Sequence, residues 1–166
     1  MKISTAWLKE YIDIDMSPEE LGDVLTNIGL EVEGMEVFES VKGGLEGCVI
    51  GQVKTCRKHP NADKLSLCTV DIGGDENLNI ICGAPNVRGG QKVVVATLGT
   101  TLYQGENSLT LKKVKIRGEV SEGMICAEDE IGLGDTHKGI MVLDDSAEPG
   151  TPAREYFKLS TDTIYE

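Results

Sequence analysis

Aromatic side chains are scarce: one Trp, four Tyr and two Phe make up 4% of 166 residues. A core built from this chain is mostly aliphatic. Between residues 42 and 117 only Tyr103 could stack on a nucleobase, which disfavours recognition built on aromatic platforms. No apolar run approaches the roughly 20 residues that span a bilayer. The N-terminus, Met1-Lys2-Ile3-Ser4-Thr5-Ala6-Trp7, lacks the apolar stretch of a secretory leader. A cytoplasmic chain with no membrane partner is therefore expected. The five cysteines, Cys48, Cys56, Cys68, Cys82 and Cys126, include no C-x-x-C pair. That disfavours a zinc knuckle or a thioredoxin-type redox pair, and leaves small buried hydrophobes in a reducing compartment. Phosphate-loop, nucleophile-elbow, H-E-x-x-H and EF-hand spacings are all missing, and Glu128-Asp129-Glu130 are too closely consecutive for a working carboxylate pair. No catalytic residue, metal or cofactor is expected in the chain itself.

The formal charge is -12. By itself that argues against a polyanionic partner, which is held by Lys and Arg displacing its counterions. The charge is uneven, however. Residues 1–39 carry two Lys against ten acids (net -8), residues 42–117 eleven Lys/Arg against six acids (net +5), and residues 118–150 one Lys against nine acids (net -8). A basic middle between acidic ends marks either a local anion-binding face or an ordinary solvated surface.

The hydrophobic period changes along the chain. Residues 4–12 read as a short helix behind an N-cap Ser4, with Trp7, Leu8, Tyr11 and Ile12 on one face. Ser17-Pro18-Glu19-Glu20 then supplies an N-cap, a first-turn proline and a capping-box glutamate. Leu21, Val24, Leu25 and Ile28 form the apolar stripe, and Gly29 the left-handed cap. From about residue 46 the period becomes 2. Cys48–Cys56, Leu65–Ile72, Leu78–Ala84, Lys92–Leu98 and Leu109–Arg117 read as five strands between Gly-, Pro- and Asn-rich turns. A slip of phase at Lys112-Lys113 predicts a β-bulge. Five short strands in about 75 residues suit a Greek-key barrel, most simply an OB-fold, with an SH3-like barrel also compatible. Beyond them, Glu128–Ile131 suggests a helical turn, Gly139–Leu143 a last strand and Ala153–Leu159 the start of another helix. The final residues 162–166 read as the start of a strand, as in a piece of something longer.

On such a barrel one sheet face and its rimming loops bind single-stranded or looped nucleic acid. The basic residues fall on the segments that would form it: Lys54, Arg57, Lys58 and Lys64 about the first loop, Arg88 and Lys92 about the third turn, and Lys112, Lys113, Lys115 and Arg117 on the fifth strand. His59 and Asn61 are placed to hydrogen-bond sugar or base edges. Each has a plainer reading: His59 as a loop residue, Asp63 as a turn cap, His137 as solvated loop, Met124 as core filler, and the Lys112–Arg117 charges as protection of a strand edge.

Four ordered motifs add a resemblance. His59-Pro60-Asn61-Ala62-Asp63-Lys64-Leu65, followed by Cys68, Val70, Asp71 and Gly73, resembles the signature of the tRNA-binding OB domain shared by several synthetases and free-standing tRNA-binding proteins. So do Ile81-Cys82-Gly83-Ala84-Pro85-Asn86-Val87, Gly90-Gln91-Lys92-Val93, and Lys115-Ile116-Arg117-Gly118-Glu119 with Ser121-Glu122-Gly123-Met124-Ile125-Cys126. Ala127 and Ile131 depart mildly, where the family often has Ser and Leu. The resemblance spans about 42–154 and adds Ser121 to the RNA-binding residues. The flanks, 1–37 and 150–166, resemble bacterial phenylalanyl-tRNA synthetase beta subunits. That implies an α+β, mainly β chain: residues 1–41 and 155–166 as parts of a small, mainly helical discontinuous domain, truncated here, with the five-stranded OB domain at 42–154 inserted between them. It implies a non-catalytic part of an enzyme that joins phenylalanine to tRNA(Phe) with ATP and magnesium. The partners would be tRNA and an alpha subunit in a two-alpha, two-beta tetramer, with no DNA. Two further readings remain open, a structural or docking module with little RNA affinity and a free-standing tRNA-binding protein.

Overall fold

A computed structural model describes residues 1–166. In chain order the elements are β1 (Ile3–Ser4), α1 (Thr5–Leu8), α2 (Pro18–Asn27), β2 (Met35–Glu39), β3 (Cys48–His59), β4 (Ala62–Asp71), β5 (Leu78–Cys82) and β6 (Lys92–Thr97). There follow β7 (Thr101–Gln104), β8 (Asn107–Thr110), β9 (Val114–Ile116), β10 (Glu119–Ser121), β11 (Gly123–Ile125), β12 (Val142–Leu143), α3 (Ala153–Tyr156) and β13 (Thr161–Tyr165). The chain divides into two compact units, one of residues 1–40 with 159–166 and one of residues 41–158. No helix is long and apolar enough to cross a membrane.

In the smaller unit β13 lies between β1 and β2, antiparallel to both. Ser4 caps α1 by accepting from the Trp7 N–H at 3.1 Å. Ser17 and Glu20 form the reciprocal capping box at the start of α2: Ser17 Oγ accepts from the Glu20 N–H and Glu20 Oε2 from the Ser17 N–H. Leu21 and Leu25 bury against Tyr165, whose hydroxyl donates to the Pro18 carbonyl at 3.0 Å. The core of this unit thus joins residues far apart in sequence. Val24 and Ile28, read as part of the apolar stripe, stay exposed, because Tyr165 meets the helix only along the Leu21–Leu25 side. The unit is mixed α and β in these residues, with a three-stranded sheet beside the helices that the resemblance implied.

The larger unit is a nearly closed β-barrel. Its main sheet runs β11-β6-β3-β4-β5, all antiparallel neighbours, with β12 also on β6. β3 is the long central strand. Gly51 sits where it packs tightest: a Cβ there would come within 2.8 Å of both Val70 Cγ1 and Val95 Cγ2. β6 is buried on both faces through Val93, Val94, Val95 and Ala96. One face joins the interior cluster of Val53, Cys68, Val70, Ile80 and Ile125. Each such fully buried valine stabilises the fold by about 1.5–3 kcal/mol over its exposed state. The segment leading into α3 runs along the start of β3, where the Ile50 N–H donates to the Thr151 carbonyl at 2.8 Å. All five cysteines are free thiols, four buried and Cys56 half-buried. Burial raises the Cys48 thiol to about 11, and burial with the nearby Cys56 raises Cys68 to about 12, so both are inert at neutral pH.

Strands three to six follow the sequence reading closely, but the single strand expected over Leu109–Arg117 does not form. The chain turns at Gly105 (φ 61°) so that β8 pairs with β7, a strand the alternation had not revealed. It then folds again, β9 pairing with β10 about Arg117 and Gly118. Those two residues have φ of 49° and 95°, the two left-handed positions that a tight hairpin turn requires. Residues 111–113 are irregular connection between two hairpins, so there is no bulge at Lys112-Lys113. The bulge lies instead in β3, where the register slips between Val53 and Thr55 and leaves Lys54 as the extra residue. Residues 128–132 are a hydrogen-bonded turn rather than a helix, and the last strand of this unit is only Val142–Leu143.

Candidate nucleic-acid interface

The Pro60–Asn61 turn joins β3 to β4 between the paired residues His59 and Ala62. His59 is 4% exposed and spends both ring nitrogens inside the protein. Nδ1 accepts from the Asn61 N–H at 3.0 Å. The proton therefore sits on Nε2, which donates to the Ile116 carbonyl at 3.1 Å. Asn61 Nδ2 donates to the Arg117 carbonyl at 3.2 Å. The loop is a clamp: its imidazole and amide hold the β9–β10 hairpin by its backbone. Ser121 has the same kind of role. It is buried, and its Oγ accepts from the Ile81 N–H and donates to the Gly123 carbonyl, both at 3.1 Å. Beside it the Glu122 N–H donates to the Asn79 carbonyl at 2.8 Å, and the Asn79 N–H donates back to Glu122 Oε2 at 3.2 Å. These bonds tie β5 to the closing segment and complete the barrel. The Asn79 N–H, and after it Lys113, holds the Glu122 carboxyl below the usual range.

Asn86 continues the pattern. Its amide donates to the Ile140 carbonyl and accepts from the Ile140 N–H, both at 3.0 Å. Hence His59, Asn61, Asn86 and Ser121, which stand out in the motifs, direct their polar groups at the backbone of neighbouring segments. His59 and Ser121 lie inside the frame, away from the solvent-facing positions expected of residues that touch sugar or base. Nothing in the sequence separates the two roles, since a buried polar side chain and a ligand-facing one are the same letter.

The cations fall into two groups. Around the β3 bulge they are already engaged. Lys54 stands 3.7 Å from Asp71 and 3.3 Å from Gln52 Oε1. Lys92 is half-buried and donates to the Ala147 carbonyl at 2.7 Å. Arg88 folds back on the Pro85 and Val87 carbonyls at 3.1 Å each. The second group surrounds the clamp. Arg57, Lys58 and Lys64 flank the β3–β4 turn, Lys115 and Arg117 lie on the clamped hairpin, and Lys112 leads into it; all are exposed and none forms an ion pair. Lys113 is the exception there, bridged to Glu122 at 3.3 Å. Solvated cations that face no protein carboxylate are the ones able to exchange counterions for phosphate. The turn and hairpin carry such cations, whereas Lys54, Arg88 and Lys92 about the bulge are bonded within the chain.

No three His, Cys, Asp or Glu side chains gather as metal ligands.

Comparison with known proteins adds the last observation. The family described as "Putative tRNA binding domain" matches residues 48–152. The whole chain is 56% identical to part of the phenylalanine–tRNA ligase beta subunit of Bacteroides fragilis, of which it covers 20%. It is 49% identical to that of Salinibacter ruber, covering all of this chain and 21% of the relative. The chain thus spans about a fifth of the length of these relatives. Among solved structures, a methionyl-tRNA-synthetase-related protein from Pyrococcus horikoshii is 22% identical, with a TM-score of 0.46, over 63% of this chain and 85% of that one.

Proposed function

The chain belongs to the tRNA-binding domain family, and on that premise we propose that residues 41–158 form an OB-fold that lends auxiliary tRNA affinity to the beta subunit of a phenylalanine–tRNA ligase. The observation that carries this reading is the cluster of exposed, unpaired cations around the His59–Asn61 clamp. Arg57, Lys58, Lys64, Lys112, Lys115 and Arg117 would contact phosphates. Lys54, Arg88, Lys92 and Lys113 would add little, and His59, Asn61 and Ser121 would act by holding the surface in shape. Flexible cations without stacking platforms fit recognition of backbone and shape rather than sequence.

The match to beta subunits runs through both flanking segments, which supports a synthetase part over a free-standing tRNA-binding protein. The whole ligase would join phenylalanine to tRNA(Phe) with ATP and magnesium in the cytoplasm, working with an alpha subunit in a two-alpha, two-beta tetramer. This chain would take no chemical step, because it offers neither nucleophile nor acid–base pair at the cationic surface. One observation favours a second reading, a docking module with little RNA affinity: four motif residues spend their polar groups on internal bonds.

The test is binding of this chain to tRNA(Phe) and to an unrelated tRNA across a salt series. Four to six phosphate contacts predict log K falling against log salt with a slope of about -3 to -5, and similar affinity for both tRNAs. No binding at low salt would favour the docking module.

A further inference from the structure

The larger unit has a cleft of about 360 Å³ formed by the end of β5, by β11 with the residues after it, and by residues 137–140. Nothing described above uses it. Its lining includes half-buried Ile81, Ala84 and Met124, buried Ile140 and exposed Pro85. Glu130 stands among them. One of its carboxylate oxygens accepts from the Ala127 N–H at 2.7 Å, and the other has no protein donor.

The cleft borders the cationic surface. Ile81, which lines it, is bonded to Ser121 at the foot of the β9–β10 hairpin. Gly83, also in the lining, is close enough to Leu65 that a Cβ on it would lie 3.4 Å from Leu65 Cδ2, and Leu65 follows Lys64. A strand of RNA whose phosphates rest on Lys64 and the hairpin thus passes the mouth of a recess in which apolar side chains stand beside Glu130, His137 and Lys138. Ligand pockets of this kind combine apolar walls with a few polar groups that fix orientation. Met124 and Pro85 supply polarizable or flat apolar surface in a lining that holds no Phe, Tyr or Trp, and the free oxygen of Glu130 is an acceptor for a base amino group. We propose that this cleft takes one unstacked, amino-bearing nucleobase of the bound RNA. The inference rests on the tRNA-binding reading for its natural ligand, while the cleft itself can be tested without tRNA.

The first probe is cytidine, uncharged and therefore indifferent to the cationic surface, titrated into this chain with methyl NMR detection. The expected result is saturable shifts of the Ile81, Met124 and Ile140 methyls at millimolar cytidine. No shifts, or shifts spread over the barrel, would overturn the proposal. The second probe is Ala84→Phe, which fills the recess. It should lose the cytidine response and weaken tRNA binding about 5- to 150-fold, the range for loss of one stacked base, with the salt slope unchanged. Wild-type tRNA affinity in a folded Ala84→Phe would also overturn it. The titration of the unmodified chain stands whether or not that variant folds. Cytidine binding without any salt-dependent tRNA binding would sink the tRNA-binding reading and keep the recess; salt-dependent tRNA binding without a cytidine response would do the reverse.

Discussion

His59 is the residue whose replacement best separates scaffold from contact. Truncation to alanine removes two hydrogen bonds, to the Asn61 N–H and the Ile116 carbonyl, and empties the space of a ring that is 4% exposed. Each bond is worth about 1 kcal/mol net, and part of the lost ring packing adds to that, giving about 2–3 kcal/mol. For a unit of about 120 residues the entropy of unfolding is about 0.25 kcal/mol per degree, so the midpoint should fall by about 8–12 °C. The assay is thermal unfolding of His59→Ala beside the parent chain, followed by tRNA binding well below both midpoints. A scaffold role predicts the large loss of stability with a tRNA salt slope close to the parent's, because all the cations remain. A midpoint within about 2 °C of the parent, together with collapsed tRNA affinity, would instead make His59 a direct contact.

Three more expectations follow from the same geometry. Ser121→Ala leaves the half-buried Ile81 N–H without its acceptor and should cost about 1–3 kcal/mol in chemical denaturation, with no change in salt slope. Glu122 has a folded-state pKa below its unfolded one. Its contribution is therefore complete above the unfolded value and is lost as pH falls through the folded value, so Glu122→Gln should flatten the acid limb of a stability–pH curve and leave its neutral shape alone. Lys58→Ala with Lys64→Ala should reduce the tRNA salt slope by about 1.4–1.8 without moving the unfolding midpoint. Lys54→Ala, whose ammonium already faces Asp71, should leave the slope within error.

Much of this was legible in the sequence, and the misses have physical causes. The α2 capping box needs only Ser17, Pro18 and Glu20 in order, so its local chemistry is fully written in the chain. β3 to β6 announce themselves by alternation between strong turn signals. The region 99–121 does not, because its topology depends on Arg117 taking a left-handed conformation that Gly118 alone only hints at, and because β7 is just Thr101–Gln104. The bulge at Lys54 was hidden for a related reason: one extra residue in a long strand is visible only against its partner. Basic residues were easy to find, but whether a lysine is free is decided by neighbours distant in sequence, as with Lys92 and Ala147. The motif residues His59 and Ser121 are buried, with their polar groups on neighbouring backbone, and burial cannot be read from a polar letter.

Where RNA sits on the larger unit is best read from a footprint. Backbone amide shifts of the 166-residue chain, followed during titration with tRNA(Phe) at low salt, would map it. Perturbation should centre on residues 57–64 and 112–118, with residues 52–54 and 88–92 little changed. A footprint centred on the β3 bulge or on residues 1–40, sparing the clamped hairpin, would contradict it.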